Sequence, residues 1–147
     1  MSQPEKTKLV GVNHLVLEVG DLEEALAFYR AVFDFDLRGR SDTMAFIDMG
    51  DQFLVLSQGR DQAPDEGRHF GLVVEDRSGV PARVRAAGGT MLDTGYMDFH
   101  DPWGNRVQVV DYRDLQFTKT DAVLRKIGVS GNKTDDAQQE LRDKGML

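Results

Sequence analysis

Two stretches of this chain share one pattern: NHLVLEVGD at residues 13–21 and RHFGLVVED at residues 68–76. Each runs histidine, alternating apolar residues, an acid, then aspartate. His14 and His69 stand 55 positions apart, and so do Asp21 and Asp76. A period this long, occurring only twice, marks a duplicated supersecondary module rather than a stacked array.

The residues after each copy also match in kind. After Asp21, the residues Leu22, Ala25, Leu26, Tyr29 and Phe33 recur at helical spacing. Asp21 with Glu24 has the form of a capping box, so a helix should start there. After Asp76, Val80, Val84 and Ala87 give a shorter stripe, with Pro81 in the first turn and Gly88 as its stop. Each helix is succeeded by three strand-like runs. These are Asp36–Arg40, Thr43–Met49 and Gln52–Ser57 in the first half, and Thr90–Asp93, Tyr96–His100 and Arg106–Tyr112 in the second. Gly50–Asp51 and DPWGN (101–105) are the hairpin turns.

The expected organisation is one domain over residues 1–116. Module one spans 8–57, a polar linker with Pro and Gly spans 58–67, and module two spans 68–112. Residues 117–147 read as two short helices stopped at Gly128 and Gly145, a peripheral packing arm, or alternatively a lid or dimer arm.

Composition excludes several classes of function. A net charge of −7 repels a phosphate backbone, and no basic aromatic stripe is present, so no nucleic-acid partner is expected. No apolar run approaches the ~20 residues of a membrane span. The N-terminus lacks the apolar core of a secretory signal, and the expected location is cytoplasmic. The absence of cysteine removes disulfides, thiolate metal sites and cysteine nucleophiles.

The two modules, the opening NHLVLEV, the FY pair in the first helix and the DPWGN turn together resemble the vicinal oxygen chelate superfamily, which holds glyoxalases, bleomycin-resistance proteins and extradiol dioxygenases. The resemblance covers roughly residues 8–112. Asp34 stands where that family more often has Gly, and Trp103 fills the third place of its Asp-Pro-Asp-Gly-Asn turn. The fold it implies is α+β: two tandem βαβββ modules forming a curled sheet around a cup, followed by the helical tail. It also implies a homodimer and a small-molecule ligand.

Alternation along the strands then selects candidate site residues. His14 and His69 should face the cup. Aligning Gly50 with Gly104 sets Leu54 in register with Gln108, both facing the cup, with Phe53, Val55, Val107 and Val109 facing the helices. In metal-binding members of the family these four inward positions carry His, Glu or sometimes Gln. Leu54 cannot ligate, so His14, His69 and Gln108 are the candidate ligands for one divalent ion, Ni, Zn, Mn or Fe. Gln108 offers a neutral amide oxygen, so such a site should hold metal more weakly than one with a carboxylate. Equally, Gln108 can be a polar wall residue. Candidate substrate contacts are Phe46, Leu54, Trp103 and Arg106. Trp103 is read either as a binding lip or as a surface residue packed on the tail. Arg106 either recognises an anion or pairs with an acid. His100 is read as structural, and no general base is singled out.

These residues are compatible with two functions. The first is a metal-dependent lyase, isomerase or transferase acting on a small oxygen-chelating substrate. The alternative is a metal-free drug- or metabolite-binding protein of the bleomycin-resistance type, which Leu54 and Gln108 at ligand positions favour. A family fold does not choose between them.

Overall fold

The repeat becomes two βαβββ modules in the computed structural model, which describes residues 5–147. The first four residues, part of the expected domain span and of the N-terminal reading, lie outside the described residues. In module one, β1 (His14–Val19) leads to α1 (Leu22–Val32), then β2 (Leu37–Arg40), β3 (Met44–Asp48) and β4 (Phe53–Gln58). In module two, β5 (Phe70–Val74) leads to α2 (Val80–Ala86), then β6 (Thr90–Met91), β7 (Asp98–His100) and β8 (Arg106–Asp111). Each module forms its own four-stranded mixed sheet, in the orders β1-β4-β3-β2 and β5-β8-β7-β6. β1 and β5 therefore each lie at a sheet edge.

Asp21 starts α1 as its position suggests. Its carboxylate accepts the Glu24 backbone N–H at 2.9 Å, a cap worth about 1 kcal/mol. The helix buries Leu22, Ala25, Leu26, Phe28, Tyr29 and Val32. α2 has no side-chain cap, and only Val80 and Val84 are buried along it. The core joins both helices to Leu17, Val19, Leu54 and Leu56 of one sheet and Phe99, Val107 and Val109 of the other.

The parallel pairing of β1 with β4 corrects one expectation. Leu15 lies beside Leu54 and Leu17 beside Leu56, whereas His14 lies beside Phe53 and Val16 beside Val55. Leu54 is a core residue, packed with the helices in the hydrophobic cluster. In module two, Gly71 lies beside Gln108. The counterpart of Gln108 in module one is thus Val55, not Leu54. Matching the turn glycines misplaces β4 by one residue, and a one-residue slip exchanges the two faces of a strand.

The modules are joined through the DPWGN turn. Both Asp101 carboxylate oxygens are filled. Oδ1 accepts the backbone N–H of Trp103 at 3.0 Å and of Asn105 at 2.9 Å. Oδ2 accepts the Tyr29 hydroxyl at 2.9 Å and the Asn105 amide at 2.8 Å. Asn105 also donates to the Glu18 carbonyl at 2.9 Å and accepts from Arg60 at 2.5 Å. Tyr29, Asp101 and Asn105 are all buried. Beside this network, Arg83 Nε donates to the Val32 carbonyl at 3.0 Å, and the Phe28 ring lies 6.0 Å from that of Phe99.

The tail forms the two expected helices, α3 (Asp121–Ile127) and α4 (Asp135–Asp143). Thr120 and Thr134 cap their starts, and Gly128 takes φ 75° at the end of α3. α3 sits on the β3–β4 turn: Val123 packs where a Gly50 side chain would stand, and Lys119 pairs with Asp51. Lys133 lies 3.6 Å over the Tyr112 ring and donates to the carbonyls of Tyr112 at 2.6 Å and Leu115 at 2.8 Å. The mostly polar α4 buries its two apolar residues, Ala137 and Leu141. Among the described residues, no helix is long and apolar enough to cross a membrane.

Tyr29→Phe removes one donor from a buried carboxylate and should destabilise the protein by about 1.5–3 kcal/mol, read as a lower urea midpoint at unchanged m-value. Burial, reinforced by Asp101, holds the Tyr29 hydroxyl well above the usual tyrosine range. The folded chain keeps that proton where an unfolded chain would lose it. Stability is therefore untouched below pH 10 and falls as the pH rises beyond it. An alkaline unfolding series should show this fall reduced in Tyr29→Phe.

Candidate functional site

Each sheet has one face on the core and one facing away from the helices. On module one that open face carries His14 and Val16 from β1, Phe53 and Val55 from β4, and Met44 and Phe46 from β3. His14 stacks on Phe53 with ring centroids 4.8 Å apart, and Phe46 lies 6.1 Å from Phe53. Arg38, next to the irregularity in the β2–β3 pairing, places its guanidinium 4.4 Å from the Phe53 centroid. It takes part in none of the ion pairs among the described residues. The face is an aromatic wall with one free cation over it.

Module two presents a polar face. Gly71 lies beside Gln108, and Gln108 lies opposite Asp98 on β7. Asp98 is 1% exposed and bound by Arg106, whose Nη2 and Nε donate to Oδ2 at 2.7 Å and 3.2 Å. Asp98 Oδ1 is buried with no hydrogen-bond partner. Leaving such an acceptor unmade costs about 1–3 kcal/mol.

The two histidines are prepared alike. His14 Nδ1 lies 2.8 Å from the Asn13 side-chain oxygen, and His69 Nδ1 lies 2.9 Å from the Gly67 carbonyl. In the neutral tautomer that donates from Nδ1 to these oxygens, Nε2 keeps its lone pair for a ligand. Both rings are exposed. This is the arrangement of a metal-ligating imidazole, oriented through its other nitrogen. With the free Gln108 amide, the donor set suits a divalent ion of borderline hardness.

One chain does not assemble that set. His14 belongs to the first sheet, and His69 and Gln108 to the second. A cavity of about 1180 Å³ is lined by the start of β1, all of β5, the end of α1 and α3; His14 lines it, whereas His69 and Gln108 do not. Among the described residues, no three His, Cys, Asp or Glu side chains come together to hold a metal.

Of the expected substrate contacts, Phe46 keeps its place on the open face. Leu54 belongs to the core and lies at the wall of that cavity. Trp103 lies against Gly20, where a Cβ would come within 2.6 Å of its Nε1, and packs on the core. The β7–β8 turn docks on the β1–α1 junction and carries the ring there. Arg106 takes the second of its two readings, paired with Asp98. His100 is structural, its Nε2 2.7 Å from the Asp65 carbonyl. Arg38, Phe53 and Asp98 escaped sequence reasoning. Measuring β4 from the apolar pairs Leu54/Leu56 and Val107/Val109 would have found Phe53, and alternation along Asp98-Phe99-His100 would have found Asp98. Nothing in the sequence marks the irregular pairing that places Arg38.

Known proteins resemble the chain at three levels. A family model described as Glyoxalase/Bleomycin resistance protein/Dioxygenase superfamily matches residues 11–109. Glutathione transferase FosA of Serratia marcescens is 27% identical over 113 residues, covering 69% of this chain and 80% of FosA. Metallothiol transferase FosB of Bacillus licheniformis is 32% identical over 57 residues, covering 39% of this chain and only 37% of FosB. The fold is similar to that of a fosfomycin resistance protein, FosX, from Listeria monocytogenes, solved with Mn(II) and 1S,2S-dihydroxypropylphosphonic acid. The TM-score is 0.59 at 18% identity, over 69% of this chain and 92% of that one. With the matched model reaching from β1 into β8, the protein belongs to the glyoxalase/bleomycin resistance protein/dioxygenase superfamily.

Proposed function

We propose that the protein is a metal-dependent enzyme acting on a small anionic substrate with adjacent oxygens, and that its site is completed between two copies of the chain. The observation that carries this reading is the matched pair of histidines, each with Nδ1 held on an oxygen and Nε2 free. His14 of one copy would face His69 and Gln108 of the other. The exposed edge supports such pairing: Val12, Leu15 and Val16, at and just before β1, are 57%, 36% and 50% exposed. An apolar strand edge left open is a ready surface for association.

A divalent ion held there would polarise a bound oxygen and stabilise the negative charge that develops on it. The chain's own residues would bind and orient the substrate. The Phe53 and Phe46 rings pack against its apolar part, and Arg38 takes its anionic group. The phosphonic acid bound by FosX, which carries two neighbouring hydroxyls, has this chemistry. FosA and FosB are named as transferases, which favours transfer over isomerisation or elimination as the reaction class. The metal-free alternative now rests on Val55, the counterpart of Gln108 in module one, which cannot ligate any more than Leu54 can.

Protein purified without chelators or a histidine tag should contain a stoichiometric divalent ion. His14→Ala and His69→Ala should each abolish it. Mixing the two variants should restore part of the binding, since one of the two sites in a mixed dimer is then intact. Metal-free protein with no change in melting temperature on adding Ni, Zn, Mn or Fe would overturn the metal reading. No recovery on mixing would overturn the shared site.

Arg38→Ala should weaken binding of 1S,2S-dihydroxypropylphosphonic acid by about tenfold, the loss of one charge-assisted contact. Calorimetric titration of both proteins, loaded with the same metal, checks this.

A further inference from the structure

We propose that Asp98 and Gln108 act as one unit, in which Asp98 is the positioning residue that makes a neutral amide serve as a metal ligand. This rests on the metal reading above and explains how the site works without a carboxylate at position 108.

The two residues are directly opposed on antiparallel strands, so their Cβ atoms stand roughly 5 Å apart on one face. Asp98 is the shorter side chain by one methylene. Its Oδ2 is fixed by Arg106, and its Oδ1 is buried without a donor. The Gln108 amide carries the N–H groups that this oxygen lacks. Turning the amide nitrogen down onto Asp98 Oδ1 satisfies the orphan and points the amide oxygen away from the sheet, toward the ion. The carboxylate also polarises the amide, so that its oxygen carries more negative charge. A ligand held and tuned by a hydrogen-bonded carboxylate behind it is a recurring device at metal sites.

The same arrangement accounts for the glutamine. A glutamate at 108 would set its charge against the buried Asp98 carboxylate, and one of the two would be destabilised. The anionic group of this site has in effect moved one strand over, where Arg106 holds it.

A double-mutant cycle on the full chain tests the unit, with Mn²⁺ binding read from the loss of the free-ion EPR signal. Asp98→Asn should weaken binding by more than about tenfold. Gln108→Glu alone should gain little. Asp98→Asn combined with Gln108→Glu should bind more tightly than either single variant, so the effect of the same Asp98 substitution reverses sign between the two backgrounds. A residue that merely supports the fold would lower affinity in both. Additive effects, or tightest binding by Gln108→Glu alone, would overturn the proposal. Asp98→Asn binding metal as well as the wild type would overturn it while leaving the metal reading intact. A wild type that binds no metal would overturn both.

NMR of the wild-type protein gives a second measurement that does not depend on folding of the variants. The Gln108 side-chain N–H signal, assigned through its scalar and NOE connectivities to the Gln108 backbone, should be shifted downfield and protected from exchange. A free, rapidly exchanging amide would overturn the proposal.

Discussion

The Asp101 carboxylate is the point on which the two modules depend. It closes its own turn through two backbone N–H groups, and it reaches across to module one through the Tyr29 hydroxyl. A buried carboxylate with any of these donors missing would be costly, so the turn, α1 and the end of β1 are fixed as a set. Trp103 and Asn105 complete the joint, one on Gly20 and the other on the Glu18 carbonyl. Two motifs far apart in the chain, FY and DPWGN, are two halves of one contact.

This contact also explains what the open faces do. The modules meet through their helices and this turn, and the free edges of β1 and β5 are not hydrogen-bonded to each other. Hence the aromatic wall of module one and the polar wall of module two lie on separate sheets. What makes the single chain cohere is what leaves its candidate ligands divided.

Much of the fold was legible because duplication writes the same pattern twice. The element order, the Asp21 cap and the glycine stops of the tail result from local rules that act within a few residues. The site was less legible, because its faces depend on pairing between strands. A β4 register taken from turn glycines is off by one, and that single step moves Leu54 from the cup to the core and brings Phe53 out. Asp98 was hidden for a related reason. Its importance lies in standing opposite Gln108, and no spacing along the chain expresses that. Arg106 and Trp103 looked like ligand contacts because long cationic and aromatic side chains near a turn are versatile. Only the positions of Asp98 and Gly20 decide what they touch.

The two histidines sit at equivalent places, but their neighbours have diverged. His14 stacks on an aromatic ring, while the second sheet carries an opposed amide and carboxylate at Gln108 and Asp98. A symmetric ancestor of such a duplication would present two identical walls, between which a ligand could sit either way round. Where two copies pair as proposed, unlike walls would give the space between them a direction. A molecule with one apolar end and one oxygen-rich end would be read by polarity alone, and its orientation would be set by the sheets, with no added loop needed to impose it.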